Sequence, residues 1–244
     1  MSVLGAIDRF FRPAYPAKRL AALRILIGGL GGFYAAGLAI PMSSLAAARA
    51  KSFAPTGPIA LLSTPLPGWA LYATIAFAAL ASIPFTLGWR FRVTGPIFAA
   101  AFAWVASYRS SFGMVFHTEN LLALHLVVLA LGDAAGVWSV DAARRPKDAP
   151  IPEDAPRFGW PVRLLSLVTV ATYVLAGVAK LRHSGSEWLS GDILTHQIAY
   201  DNVRKAALGD AYSPIGAWVL RHAWALRPLA ILSVALELGA PRRR

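Results

Sequence analysis

The sequence predicts an all-α membrane protein, a bundle of about six transmembrane helices with one additional interfacial segment. Hydrophobic residues make up 57% of the 244-residue chain and charged residues only 15%, against about 25% charged residues in soluble domains. Several apolar stretches approach the roughly 20 residues that a helix needs to cross the hydrocarbon layer. Lipid is therefore the expected solvent, and residues 1–244 are expected to form a single transmembrane domain.

Six apolar stretches are predicted to span the membrane. They are Leu20–Ile40, Trp69–Gly88, Val93–Tyr108, Leu121–Val137, Pro161–Ala179 and Trp224–Ala240. The residues before the first stretch are rich in charge and lack the apolar core and small-residue cleavage site of a signal peptide, so the first span is expected to be retained. Clusters of Pro and Gly between the spans favour connecting loops.

Two segments need a separate interpretation. Small residues fill Gly28–Gly37 (GGLGGFYAAG) in the first span, which favours close helix packing in the membrane, because a nucleotide-binding loop would need a preceding strand. The long segment Ser184–His222 carries scattered apolar and aromatic residues, among them Trp188 and Tyr200. This pattern favours an interfacial helix over another crossing.

The formal net charge of +12 raises the question of a nucleic-acid partner. Lys and Arg residues lie mostly between the apolar stretches, however, rather than along one polar face. This distribution favours contact with anionic lipid headgroups over nucleic acid. In the short loops the positive charges fall mostly on the side of the N-terminus, which predicts a cytoplasmic N-terminus.

The chain contains no cysteine. Disulfides, thiolate metal sites and cysteine nucleophiles are therefore excluded. The HExxH, GxSxG, phosphate-loop and paired-carboxylate patterns are also missing from the sequence. No metal is therefore expected, and the chemistry must come from the few polar residues near the ends of the spans.

The predicted topology brings two polar segments to the outer side of the membrane. FHTEN (Phe116–Asn120) leads into the fourth span, and AKLRH (Ala179–His183) ends the fifth. Successive spans run in opposite directions, so the entrance of the fourth and the exit of the fifth lie at the same membrane face. A histidine, a glutamate and a lysine are therefore expected together at that face.

Lys180 is the first candidate for chemistry because it follows the apolar run YVLAGVA. Tyr173, Gly177 and Lys180 recur at i, i+4 and i+7 and so share one helical face, where Gly177 would leave room for a flat ring. Burial disfavours the charged form of a lysine, so Lys180 could act as a general base. The alternative is a snorkelling lysine that reaches the lipid headgroups, which is common at the ends of spans.

His117 is the second candidate, and Asn120 follows it on the same helical face. The imidazole could donate a hydrogen bond to a substrate oxygen or stabilise charge that develops there. The alternative is a hydrogen-bonded structural histidine at the membrane edge. Glu119 could hold a nearby lysine or histidine, or it could face water.

Two segments of the chain resemble the vitamin K-dependent gamma-carboxylases and their bacterial relatives, the HTTM-domain proteins. They are FHTENLLALHLVVLALGDAAGVWSVD (Phe116–Asp141) and YVLAGVAKLRHSGSEWLSGDIL (Tyr173–Leu194). The resemblance rests on the order of the motifs: a histidine, an apolar span and WSVD, then a span that ends in AG-V-x-K-L, followed by W-x-x-G. The layout of the spans also fits the family from Arg12 onward.

The resemblance implies a reaction and the residues that perform it. In the carboxylases a lysine of the AG-V-x-K-L motif deprotonates reduced vitamin K, O₂ adds, and a strongly basic alkoxide forms as the quinone becomes its epoxide. That base removes a γ-proton from a substrate glutamate, and CO₂ captures the carbanion. Lys180 matches the lysine, and His117 matches a histidine that assists the oxygenated steps. The residues expected to bind the quinone are Asn120, Tyr173, Gly177 and Trp188.

The expected function is therefore quinol-linked epoxidation or carboxylation in the bacterial plasma membrane, with reduced vitamin K or another quinol, O₂ and CO₂, and a protein glutamate as substrate. The animal enzymes carry a large soluble region that grips substrate propeptides, and family members usually continue with further helices where this chain stops at LELGAPRRR. A shortened member is therefore expected. The alternative is a non-enzymatic, DoxX-like membrane subunit that binds quinone or supports a redox partner.

Overall fold

The computed structural model describes residues 3–46, 52–146, 151–209 and 211–240, and their regular structure is almost entirely helical. The helices are α1 (Val3–Phe11), α2 (Ala17–Gly37), α3 (Ser43–Ala46), α4 (Gly68–Leu87), α5 (Phe91–Ser110), α6 (His117–Leu131), α7 (Val140–Ala143), α8 (Pro156–His183), α9 (Gly185–Ser190), α10 (Asp192–Ala207), α11 (Pro214–Arg221) and α12 (Leu226–Gly239). Short 3-10 helices cover Gly57–Leu61 and Ala223–Ala225, and β1 (Tyr15–Pro16) pairs with β2 (Asp154–Ala155) in antiparallel fashion. The predicted all-α class is confirmed.

The chain divides into two compact units, Met1–Leu167 and Val168–Arg244. The first unit contains α1 to α7 and the beginning of α8. The second contains the remainder of α8 together with α9 to α12. Residues 241–244, with the three terminal arginines, lie outside the described residues.

Fewer of the described helices than predicted have by themselves the length and apolarity of a membrane span. Among the described residues, α2, α4 and α8 are long and apolar enough to span by themselves. A further pair of helical segments reaches the length and apolarity of a span only when the two are taken together, Pro214–Arg221 and Ala223–Gly239. The pair is bent by 91° and forms a broken span or a re-entrant loop. By length and composition the described chain therefore has three such helices, or four if the bent pair is one span, and the number of about six spans stays a prediction.

Two of the predicted spans correspond to helices that are too short to cross the hydrocarbon layer. α6 has 15 residues and α12 has 14, so each is only about 21–23 Å long, against the roughly 30 Å of the hydrocarbon layer. α6 ends at Leu131, six residues before the predicted border, where Gly132 begins a turn. α5 has sufficient length, with 20 residues, but carries Arg92 and Arg109 near its two ends.

The glycines of α2 allow α4 and α5 to pack closely against it. A Cβ atom at Gly28 would lie 2.6 Å from Cδ1 of Phe85, and at Gly31 it would lie 3.2 Å from Cζ of Phe98. Both distances are shorter than ordinary contacts between carbon atoms. The prediction that this small-residue run serves helix packing is confirmed.

The segment Ser184–His222 forms three helices, α9 to α11, rather than one interfacial helix. α10 exposes Tyr200 and Val203, and in the same helix Asp201 pairs with residues three and four positions further on. α11 belongs to the bent pair with α12. The end of the segment is therefore part of a candidate broken span, which the sequence pattern did not indicate.

Candidate functional site

Lys180 lies in the last turn of α8 and contacts α12 within the second unit. Its Nζ donates to Oε1 of Glu237 at 2.5 Å and lies 3.5 Å from Oγ of Ser233. Ser233 and Glu237 are four residues apart and so lie on one face of α12. The side chains of Lys180 and Glu237 are only 20% and 14% exposed. Lys180 is therefore turned toward a carboxylate of the same unit.

The indole ring of Trp188 forms another wall of this site. Nζ of Lys180 lies 4.5 Å from the ring centroid, within the range of a cation–π interaction. Trp188 belongs to α9 and packs in a hydrophobic cluster with Ala230 and Val234 of α12. This cluster holds the ring close to the lysine.

Two polar atoms at the Lys180 site are buried without a hydrogen-bond partner among the described residues. They are Nε1 of Trp188, a donor, and Oε2 of Glu237, an acceptor. A buried polar atom that lacks a partner costs about 1–3 kcal/mol. A ligand that offers a hydrogen-bond acceptor to Nε1 of Trp188 and a donor to Oε2 of Glu237 would therefore gain binding free energy at this site.

Two glycines bring the backbones of this unit close together. A Cβ atom at Gly177 would lie 3.1 Å from Cβ of Glu237 and 3.0 Å from Cδ2 of Leu238, so α12 occupies the space over Gly177 that was expected to admit a flat ring. Gly191, which ends the W-x-x-G motif, has a φ of +93°, and a Cβ atom there would lie 2.9 Å from the backbone nitrogen of Arg227. This glycine permits both the turn after α9 and the close approach of α12.

The other predicted site residues lie in different places. Tyr173 is two turns before Lys180 on α8 and is 47% exposed. His117 and Asn120 lie in the first turn of α6, in the first unit, and both are exposed. The cooperation of His117 with Lys180 stays a prediction, because the two residues belong to separate units.

Glu119, two residues after His117, is completely buried. Its Oε1 accepts a hydrogen bond from the hydroxyl of Tyr34 at 2.8 Å and forms an ion pair with Arg109. Arg109 also donates to the Tyr34 hydroxyl at 3.1 Å and lies 3.8 Å from the ring centroid of Phe116. The expectation that Glu119 holds a lysine or histidine, or faces water, is wrong, since its partners are an arginine of α5 and a tyrosine of α2.

The WSVD segment joins several helices at the other end of the first unit. The two carboxylate oxygens of Asp141 accept hydrogen bonds from the backbone N–H groups of Arg90 and Phe91, each at 2.8 Å. They thereby cap the N-terminus of α5. Oγ of Ser139 accepts from the N–H of Ala142 at 2.8 Å and caps α7. The WSVD motif therefore stabilises the N-termini of α5 and α7.

Arg24 of α2 binds the same end of the unit and is completely buried. Its guanidinium donates to the carbonyl oxygens of Ala134 at 2.9 Å and Thr86 at 3.2 Å, and also to that of Trp138. A planar group with five donors suits several carbonyls at once. Arg24 thus connects α2 to the end of α4 and to the residues that follow α6.

The family model of the HTTM domain matches residues 11–232. This chain belongs to the HTTM domain family. The HTTM domain is the domain of vitamin K-dependent carboxylase-like proteins, and the match together with the apolar helices identifies a membrane protein. Searches of curated proteins and of solved structures gave no match.

Three of the motifs that carried the HTTM resemblance make specific contacts in this chain. WSVD caps α5 through Asp141. W-x-x-G supplies the ring beside Lys180 and, through Gly191, the close approach to α12. The lysine of AG-V-x-K-L makes the ion pair with Glu237. The HTTM motifs of the second unit therefore meet around one lysine.

Sequence reasoning singled out neither Glu237 nor Arg109 as a partner, and it did not single out Arg24. A signal was available for two of them, since Arg24 interrupts the apolar run LAALRILIGG and Glu237 interrupts SVALELG. An ionisable residue inside an apolar helix points to a buried partner or a functional site. For Arg109, at the end of α5, the sequence offers no comparable signal.

Proposed function

We propose that this HTTM protein is a membrane enzyme that epoxidises a lipid-soluble quinol, with Lys180 as the base that takes the quinol proton. The observation that supports this is the position of the Lys180 amine, between a carboxylate and an indole ring at the end of an apolar helix. Membership of a family whose domain occurs in vitamin K-dependent carboxylase-like proteins points to the same chemistry.

The surroundings of Lys180 suit the product of a proton transfer. As a neutral amine, Lys180 can donate one N–H to Glu237 and direct its lone pair at a quinol hydroxyl. When the proton moves from that hydroxyl to Nζ, the new ammonium lies 2.5 Å from the carboxylate of Glu237 and 4.5 Å from the face of Trp188. Both groups favour a positive charge, so they would stabilise the state that the transfer creates.

The remaining roles follow from this assignment. The quinol and O₂ together give the quinone epoxide and water, and the strong base formed on the way would take the γ-proton of a protein glutamate, to which CO₂ adds. The parts of His117 in the oxygenated stage and of Asn120 in quinol binding stay predictions, because both residues belong to the first unit. In the second unit the quinol would be bound by Tyr173 and Trp188, with Nε1 of Trp188 and Oε2 of Glu237 as donor and acceptor. We place this reaction in the bacterial plasma membrane, with a cytoplasmic N-terminus.

The test is turnover of the purified protein in lipid nanodiscs with reduced vitamin K or a reduced menaquinone, followed by chromatographic detection of the epoxide. Lys180→Ala should abolish epoxide formation, and a small added amine should partly restore it. Lys180→Arg should not restore it, because a guanidinium stays protonated at ordinary pH. Lys205→Ala, which removes another ion-paired lysine of the same unit, is the matched control and should keep full activity. Turnover that survives both changes at Lys180 would exclude this residue as the base.

A second candidate function is a non-enzymatic, DoxX-like subunit that binds quinone or supports a redox partner. The observation that favours it is the mutual neutralisation of Lys180 and Glu237 between α8 and α12, which would serve helix packing equally well. Quinone bound to such a subunit would quench its tryptophan fluorescence, but no epoxide would be released. The assay described above separates the two functions.

A further inference from the structure

We propose that the first unit binds the headgroup of an acidic phospholipid in a cavity between the beginning of α5 and the end of α6. The cavity has a volume of about 810 Å³. Its walls include three arginines and three apolar side chains: Arg90, Arg92, Arg145, Phe91, Val93 and Leu131. This site is independent of the Lys180 site, which belongs to the second unit.

The two carboxylates that line the cavity are already engaged. Both oxygens of Asp141 accept backbone hydrogen bonds at the start of α5. Asp133 forms an ion pair with Arg157, at 3.5 Å between Oδ2 and Nε. The amides at the N-terminus of α5 are occupied by Asp141, so the anion would be bound by arginine side chains rather than by the helix end.

The three arginines form no ion pair with a carboxylate in the described ranges. Arg145 donates to the carbonyl oxygen of Gly136 at 3.2 Å, Arg90 lies 5.3 Å from the ring centroid of Trp89, and Arg92 is exposed. Several guanidinium groups around one cavity are suited to a phosphate, which accepts paired N–H bonds from arginine. The chemistry of the cavity therefore favours an anion.

The apolar side of the cavity indicates that this anion belongs to a lipid. Val93 and Leu131 are 59% and 69% exposed on the helices that form the wall, and acyl chains would cover them. Trp89 and Trp138, exposed at the same end, are of the type that lies at the level of the headgroups. An acidic lipid fits better than a zwitterionic one, because the choline of the latter would bring a further positive charge to the arginines.

The test measures binding of phosphatidylglycerol to the full chain in detergent, by native mass spectrometry and by the lipid-induced rise in unfolding temperature, with phosphatidylcholine as reference. Phosphatidylglycerol should bind more tightly, and Arg92→Gln and Arg145→Gln should each weaken its binding about fivefold. Arg221→Gln, which removes an exposed arginine of α11 in the second unit, is the matched control and should bind like the wild type.

Two further measurements distinguish a lipid site from a site for any small anion. Val93→Gln should weaken phosphatidylglycerol binding because it removes an apolar side chain that the acyl chains would cover, while the arginines stay in place. Native mass spectrometry records this binding on the folded protein. Inorganic phosphate or glycerol phosphate at the same concentration should give no comparable rise in unfolding temperature. Equal binding of both lipids, unchanged binding in the arginine variants, or an equal effect of free phosphate would overturn the proposal.

Discussion

Three ionisable side chains of the apolar helices are held by groups from elements distant in sequence. Arg24 donates to backbone carbonyl oxygens. Glu119 is bound by Arg109 and Tyr34. Lys180 is bound by Glu237. A charged residue at the centre of a membrane helix costs about 2.5–3.5 kcal/mol on insertion scales, and a partner offsets part of that cost. Each of these contacts is therefore a position where one substitution should change stability measurably.

The Lys180–Glu237 pair gives the first prediction. Glu237→Leu leaves Lys180 without its carboxylate partner in a mostly buried place, and because both side chains keep some exposure we expect a loss of about 1–3 kcal/mol rather than the larger cost of a fully buried pair. The double variant Lys180→Met, Glu237→Leu should recover most of this loss, since two apolar side chains then pack together. Thermal unfolding in detergent measures both. A double variant no more stable than the sum of the two single effects would contradict the coupling.

The Arg109–Glu119 pair gives a second prediction at this scale. Arg109→Leu leaves the completely buried Glu119 with Tyr34 as its remaining hydrogen-bond donor, so the free energy of unfolding should fall by about 3–5 kcal/mol. Arg12→Leu removes an arginine whose ion pair with Asp8 is exposed, and it should cost at most about 1 kcal/mol. Equal unfolding temperatures for the two variants would contradict the importance of the buried pair.

Close contacts between helices hold the elements of each unit together. α2 packs on α4 through glycines, and α12 packs on α8 over Gly177 in the second unit. In lipid the close approach of helices replaces the hydrophobic effect as the source of association, so small residues at the contacts matter more than large ones. α10 packs Ile193 and Leu194 against the Trp188 cluster and also carries charged pairs within the helix.

Two neighbouring glycines of α2 test the packing of that helix. A Cβ atom at Gly28 would lie 2.6 Å from the ring of Phe85 and 2.7 Å from Oγ1 of Thr86, whereas at Gly29 it would meet no atom within 4 Å. Gly28→Ala should therefore destabilise the protein by about 1–3 kcal/mol. Gly29→Ala should leave it unchanged or slightly more stable, because alanine favours helix more than glycine. Unfolding in detergent is the measurement, and equal effects of the two changes would argue against the α2–α4 contact.

Asp201 provides a pH-dependent prediction for α10. Burial disfavours its charged form, but hydrogen bonds from Lys205 and Arg204 outweigh burial and hold the pKa of Asp201 below its ordinary value of 3.8. A lowered pKa in the folded state stabilises the protein above the ordinary value, and that stabilisation is lost as the pH falls through the lowered pKa. Asp201→Asn should therefore destabilise the protein at neutral pH, and the difference from the wild type should shrink at acidic pH. A difference that persists unchanged below the ordinary value would contradict the pairing.

At the scale of the whole molecule, positive charge is concentrated at one end of the first unit. Arg90, Arg92, Arg144 and Arg145 lie there, while Glu119 and Arg109 neutralise each other at the opposite end. Cytoplasmic loops of membrane proteins carry an excess of lysine and arginine. The arginine-rich end is therefore the end that we expect in the cytoplasm.

The absence of cysteine makes this topology directly testable. Thr118→Cys and Arg144→Cys each introduce a single thiol at an exposed position, before and after the main part of α6. A membrane-impermeant thiol reagent applied to intact cells should label position 118 and not position 144. Labelling of both positions after the cells are opened is the control for accessibility. Labelling of position 144 alone in intact cells would reverse the proposed orientation.

The sequence by itself determined the helical class, the membrane solvent and the family. α2, α4 and α8 agree with predicted spans within a few residues, because the length and apolarity of a helix are local properties of the chain. The packing role of the α2 glycines was predictable because a run of small residues is also a local feature of the sequence. The motif around Lys180 and the order of the motifs along the chain were also sufficient to recognise the HTTM family.

The tertiary structure alone decided which residues meet. Glu237 lies 57 positions after Lys180, and Arg24 reaches carbonyl oxygens more than a hundred positions away. The 91° bend between α11 and α12 was likewise not visible in composition, which predicted one continuous span there. Hydrophobic periodicity shows which face of a helix is apolar, but not which other helix that face contacts or where the chain bends. The partners of buried charges depend on those contacts, and one sequence does not specify them.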